Sequence, residues 1–230
     1  LALAEAEIKR CEEELPVASR YHTKKQSREI YENCRRFAAD EAETRTRLAP
    51  EYFELEFGKD RECSVQLPDG KSFYVKGFVD RVDRMNDGTR QIIDYKTGGT
   101  YKYKTVGLPL DGRLDGGSVQ LLLYYLALKA LAQTDGPEDF RKVENISSVS
   151  YRFVTEKGDY DTVGVHVSSG DDQMILDAFN NLLCEIAAGR FTPETLAIDG
   201  NEEMKDIDKV RSKQRVCRYC SYLPMYKYRF

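Results

Sequence analysis

The chain has 230 residues, 41% of them hydrophobic and 32% charged, with a formal net charge of -4. That is enough sequence for one domain with a real core, and too little for that domain and a large motor domain beside it. The acidic balance excludes nucleic-acid binding by overall attraction, so any such contact must come from local basic patches.

The N-terminal part, 1–48, reads as two helical stretches, with Leu3, Ile8 and Cys11 on one and Ile30, Tyr31, Cys34 and Phe37 on the other, divided near Pro16. Tyr52 to Gly58, Cys63 to Leu67, Ser72 to Arg84 and Gln91 to Tyr95 alternate or run apolar. Pro68-Asp69-Gly70 and Asn86-Asp87-Gly88 punctuate them, which predicts an antiparallel meander. Residues 98–117 hold six glycines and one proline and predict a mobile functional loop. A helix is expected from Ser118 to about Gln133, then strands over Ile146 to Val154 and Tyr160 to His166, then a helix over Asp171 to Ala188. The expected organisation is one domain over 1–230, with a core at 50–190 and a basic, tyrosine-rich tail at 191–230. Helical periodicity that begins at Leu1 suggests a fragment of a larger protein. No apolar run approaches the roughly twenty residues of a membrane span, so no membrane partner is expected. Six cysteines without regular spacing do not suit a secreted disulfide framework, and a reducing, cytoplasmic setting is the expectation.

The chemistry concentrates in two apolar-flanked runs, Gly77-Phe78-Val79-Asp80-Arg81-Val82-Asp83 and Gln91-Ile92-Ile93-Asp94-Tyr95-Lys96-Thr97-Gly98. Joined through Asn86-Asp87-Gly88, they predict a β-hairpin with acids on adjacent strands. Side chains alternate along a strand, so Asp94 and Lys96 share one face while Tyr95 points to the other. Two carboxylates and an ammonium on one face suit a divalent cation beside a phosphodiester. The same three residues would equally make a cross-strand ion-pair cluster on a solvated face.

A third block, Gln120-Leu121-Leu122-Leu123-Tyr124-Tyr125-Leu126-Ala127-Leu128, follows in order. Together the three blocks resemble the PD-(D/E)XK nuclease superfamily, and within it the RecB-like branch, from about Pro50 to Cys220. The resemblance implies an α/β, restriction-endonuclease-like fold: a mixed central sheet flanked by helices, with the site at one edge of the sheet. It implies metal-dependent cleavage of DNA, as an exonuclease rather than an endonuclease, in the nuclease part of a helicase-nuclease of DNA repair or recombination. The partners it implies are DNA and a helicase domain or subunit. Asp80 and Asp94 would ligate Mg²⁺ or Mn²⁺, with the main-chain carbonyl of Tyr95 as a further ligand. Lys96 would orient or deprotonate the water, or stabilise the transition state. Gln120 and Tyr124, one helical turn apart on one face, would support DNA or a water near the metal.

Other residues are less specific. Glu54 and Glu56 project from one side of a strand, as a solvated face or as metal-site acids, and Arg81 and Asp83 are expected to pair structurally. Tyr101, Lys102, Lys104 and Arg113 interleave aromatic and basic groups, as single-strand binders do, and are the expected DNA contacts together with the basic tail. Two features depart from the branch. Its upstream metal-binding histidine has no convincing counterpart, since His22 lies in Tyr21-His22-Thr23-Lys24-Lys25. Cys217-Arg218-Tyr219-Cys220 lacks the next cysteine of the branch's iron–sulfur ligand set, so a [4Fe-4S] cluster is not expected. Cys63 and Cys184 read as core residues. These departures leave a competing function open: a catalytically weakened module that binds DNA or a helicase.

Overall fold

The computed structural model describes residues 1–14, 19–44, 48–59, 62–133 and 145–189. Two helices come first, α1 (Ala2–Glu14) and α2 (Arg20–Thr44). The strands β1 (Leu48–Phe57), β2 (Cys63–Gln66), β3 (Ser72–Val75), β4 (Gly77–Met85) and β5 (Arg90–Lys96) follow. Then come α3 (Val119–Ala132), β6 (Ile146–Phe153), β7 (Thr162–His166) and α4 (Asp172–Ala187). The chain divides into two compact parts, Leu1–Leu182 and Leu183–Phe230. Of the second, the described residues 183–189 carry the end of α4 and its C-terminal turn. The tail at 191–230, with Cys217 and Cys220, lies outside the described residues.

One five-stranded sheet runs in the order β1-β4-β5-β6-β7, and β2 and β3 form a separate two-stranded sheet. The pairs β1–β4, β4–β5 and β6–β7 are antiparallel, and β5–β6 is parallel. The parallel pair is reached through α3, the crossover that such a pair needs. Two expectations are thereby corrected. The run Ser72 to Arg84 is not one strand: it breaks at Lys76, so β3 closes a hairpin with β2 and β4 leaves for the main sheet. β1 then pairs with β4 and not with its sequence neighbour, so the strands do not form a simple meander.

The core follows from hydrophobicity on opposing faces. Helix α3 is apolar almost all round and buries Leu121, Leu122, Tyr125, Leu128 and Leu131, as a helix covered on all sides must. The sheet offers Val82, Ile92, Val149, Tyr151 and Phe153 to the same cluster. The β2–β3 hairpin closes it with Cys63 and Val65, and the Cys63 thiol reaches the Ala127 carbonyl at 3.5 Å. Burial pushes that thiol up to about 11, so Cys63 behaves as a core residue. Cys184, in contrast, is exposed. The segment 98–117 is not a free loop either: Tyr103, Val106, Leu108 and Leu114 pack against the core, and the Gly107 N–H donates to Ser118 Oγ at 3.0 Å.

Candidate active site

Asp80, Asp94 and Lys96 lie where two inner strands part, whereas the sequence reading expected the site at one edge of the sheet. The β4–β5 ladder runs through Asp83↔Gln91 and Val82↔Ile92 and stops at Arg81↔Ile93. On its other side β5 stays paired with β6 as far as Lys96↔Phe153. Past the end of the ladder, Asp80 takes the place of a strand partner: its carboxylate accepts the N–H of Tyr95 at 2.7 Å. In a strand the N–H and C=O of one residue leave on the same side, so the Tyr95 carbonyl opens towards the same gap. β4 is also irregular here. Val79 and Val82 both reach the core though three residues apart, and Glu54, between the pairs Phe53↔Arg81 and Leu55↔Val79, has a left-handed φ of 48°.

Asp94 and Lys96 share a face, as alternation requires, and α3 brings Gln120 and Tyr124 onto them. Lys96 Nζ donates to Gln120 Oε1 at 3.1 Å, and Gln120 Nε2 donates to Asp94 Oδ1 at 2.9 Å and to Tyr124 Oη at 2.8 Å. Tyr124 Oη donates in turn to Asp94 Oδ1 at 3.4 Å. Only this orientation of the amide puts its oxygen on the ammonium and its nitrogen on the carboxylate.

The second oxygen of Asp94 is different. Lys96 Nζ lies 2.5 Å from this buried oxygen as an ion pair. Burial pushes the Asp94 carboxyl above the ordinary aspartate range; Lys96 pulls it down and the neighbouring Asp80 charge pushes it up again. A buried carboxylate that burial and a second carboxylate both push towards its neutral form is a place that a divalent cation would relieve. Among the described residues no three His, Cys, Asp or Glu side chains gather as a metal site. Two acids and a main-chain carbonyl nevertheless fit Mg²⁺, which keeps several waters and is often held by one or two carboxylates plus substrate phosphate.

The raised pKa has a stability consequence. Above its folded value the ionised Asp94 costs more in the folded chain than in the unfolded one, and below the ordinary aspartate range that penalty vanishes. Without metal, the difference in stability between Asp94→Asn and the parent should therefore move in the parent's favour as pH falls from above the folded value to below the ordinary aspartate range. Thermal unfolding in EDTA across pH checks this; a difference that does not change with pH would contradict it.

Other expected site residues lie elsewhere. His22 is exposed near the start of α2, edge-on to Tyr21, and roughly 28 Å along the helix axis from Glu41 at 1.5 Å per residue. Glu54 is exposed, and Glu56 pairs with Lys59 at 3.3 Å. Arg81 and Asp83 do pair, through bonds of 2.5 and 2.7 Å. Tyr101, Lys102, Lys104 and Arg113 are all exposed on the segment that leaves Lys96, with Lys104 over the Tyr101 ring at 5.8 Å.

The sequence reading missed Tyr151. Its ring lies 4.9 Å from Lys96 Nζ, its hydroxyl is 3.5 Å from Gln120 Oε1, and Tyr103 packs on it at 4.5 Å between centroids. The ammonium thus sits between a carboxylate, an amide oxygen and an aromatic face, which fix its position. The only signal was an aromatic residue in phase with the core positions of β6.

Comparison with known proteins gives the family of the chain. The family model described as PD-(D/E)XK nuclease superfamily matches residues 1–225. The chain belongs to the PD-(D/E)XK nuclease superfamily, and its five-stranded mixed sheet flanked by helices is the restriction-endonuclease-like fold. It is similar to an ATP-dependent helicase/deoxyribonuclease subunit of Clostridium perfringens (strain ATCC 13124), 41% identical over 81 residues, which cover 33% of this chain and 6% of the relative. The subunit of the same name from Streptococcus pyogenes serotype M1 is 34% identical over 76 residues, again 33% of this chain and 6% of the relative. The match thus spans a small fraction of these relatives' length. No helix among the described residues is long and apolar enough to cross a membrane.

Proposed function

We propose that this chain is a metal-dependent deoxyribonuclease that hydrolyses phosphodiester bonds. In this reading it is the nuclease part, 1–230 as one domain, of a helicase-nuclease that works in the cytoplasm in DNA repair or recombination, as an exonuclease. The observation that carries the reading is the parting of β4 and β5, with Asp80 capping the Tyr95 N–H and the buried Asp94 carboxylate paired with Lys96. Asp80, Asp94 and the Tyr95 carbonyl would hold Mg²⁺ or Mn²⁺. When bound, such an ion neutralises charge on the phosphoryl oxygens and favours an ionised water. Gln120 and Tyr124 fix the Asp94 carboxylate through its Oδ1, so that Oδ2 keeps its direction. Lys96, held by Asp94 and Gln120 and backed by Tyr151, orients or deprotonates the attacking water, or offsets charge in the transition state. Tyr101, Lys102, Lys104 and Arg113 contact the strand by stacking and phosphate neutralisation. A helicase domain or subunit is the proposed partner, supported by the relatives' names.

The second reading, a binding module, draws support from the exposure of His22 near the start of α2 and from the gathering of only two acids among the described residues. Incubation of the purified chain with labelled single- and double-stranded DNA, in Mn²⁺ and in EDTA, separates the two. Cleavage in Mn²⁺ that stops in EDTA supports the nuclease. Binding without cleavage supports the module.

A further inference from the structure

The gap between Asp80 and Asp94 has a counterpart directly behind it, on the opposite face of the sheet. Arg81 follows Asp80 on β4, and Tyr95 follows Asp94 on β5; Arg81 Nη1 donates to the Tyr95 hydroxyl at 3.0 Å. This bond crosses from β4 to β5 just where the main-chain ladder has ended at Arg81↔Ile93. Beyond that point no ladder bond fixes the spacing of the two strands, and the side-chain tether does so in its place.

The tether is itself held from outside the sheet. Arg81 is nearly buried, with 4% of its side chain exposed. It is fixed by Asp83 and, at 2.7 Å, by Glu41 of α2. Burial opposes its charge, and the bonds to Asp83, Glu41 and Tyr95 overcome that and raise its pKa. The second oxygen of Glu41 pairs with Arg152 of β6, so one carboxylate of α2 spans the arginines on both sides of β5. Phe37, one turn earlier on α2, meets the Tyr95 ring edge-on at 5.6 Å and lies 5.0 Å from the Arg152 guanidinium. Tyr95 is thus gripped by its hydroxyl and its ring, while its main chain holds Asp80 through the N–H.

We propose that the Tyr95 side chain, tethered to Arg81 and clamped by Glu41 and Phe37, is a positioning residue that sets the width of the metal gap from behind the sheet. The inference rests on the reading of that gap as a divalent-cation site. A staple that served only to attach α2 would do so from any residue on this face. Here it acts on the residue whose N–H orients Asp80, through the arginine next to Asp80 in sequence. Movement of α2 relative to the sheet therefore changes the spacing of the two carboxylates.

The test measures Mn²⁺ binding to the purified chain without DNA, by calorimetry or by the loss of the free-ion electron paramagnetic resonance signal, alongside melting temperatures. Tyr95→Phe removes one hydroxyl and keeps the ring. It should weaken Mn²⁺ binding about 10-fold, the effect of removing a residue that orients a ligand, with little change in melting. Glu41→Gln should weaken it in the same direction. Tyr160→Phe breaks a different attachment of α2, the 2.7 Å bond from the Tyr160 hydroxyl to Asn33, and should leave Mn²⁺ affinity unchanged. Saturable binding that Asp94→Ala removes, combined with parental affinity in Tyr95→Phe or an equal loss in Tyr160→Phe, overturns the positioning role alone. Absence of Mn²⁺ binding by the parent chain overturns the site reading and this inference with it.

Discussion

Asp94→Ala and Lys96→Ala should each lower the rate of Mn²⁺-dependent DNA cleavage by about 10²–10³-fold or more, the scale on which removal of one charge-stabilising group acts. Asp94 serves two purposes. Its Oδ1 receives Gln120 and Tyr124, and its buried Oδ2 pairs with Lys96 at 2.5 Å. Alanine removes both the proposed metal ligand and the anchor of the α3 residues. Lys96→Ala keeps the carboxylates and removes the ammonium that joins Asp94 to Gln120. Gln120→Ala acts through Asp94 and Lys96, so its loss should be smaller, about 10–100-fold. Initial rates on an end-labelled oligonucleotide, with melting temperatures measured beside them, give the comparison. Parental rates in Asp94→Ala would remove Asp94 from the chemistry.

The largest expected effect on stability lies behind the site. Arg81→Ala leaves Asp83, whose side chain is fully buried, and Glu41, 18% exposed, without their shared cation. Breaking a buried pair by removing one partner typically costs about 3–5 kcal/mol, because the remaining charge stays out of water. For a chain of this size the melting temperature should fall by roughly 10 °C. Arg35→Ala is the useful contrast. Its pair with Glu32 at 2.9 Å is exposed, 58% and 50% by side chain, and such pairs contribute less than about 1 kcal/mol. Chemical denaturation of both variants checks the ordering. An Arg81→Ala loss as small as that of Arg35→Ala would mean that water reaches the network.

The contrast between these two effects shows how much the sequence could express. The hairpin with Asp80, Asp94 and Lys96 was readable because its information is local: alternation sets which side chains share a face, and Asn86-Asp87-Gly88 sets where the chain turns. The α3 residues were readable because Gln120 and Tyr124 are one helical turn apart. The break at Lys76 was not, since Ser72 to Arg84 contains no Pro-Asp-Gly or Asn-Asp-Gly turn and only pairing with two different partners divides it. Nor was the role of α2. Glu41 looks like any charge on a polar helix, and its bonds reach residues 40 and 111 positions away. Tyr151 was hidden for a similar reason: β6 joins β5 only through the parallel register that places Tyr151 beside Asp94. The parting of β4 and β5 is also invisible in sequence, because a carboxylate that substitutes for a ladder bond leaves the strand pattern intact.

The central claim is that Asp80 and Asp94 hold one divalent ion between the parted strands. Anomalous diffraction at the manganese edge from crystals grown in Mn²⁺ tests it most directly. The account predicts a peak in contact with both carboxylates, next to the Tyr95 carbonyl, that is lost in Asp94→Ala crystals. A peak bound elsewhere, or none between Asp80 and Asp94 at saturating Mn²⁺, would contradict it.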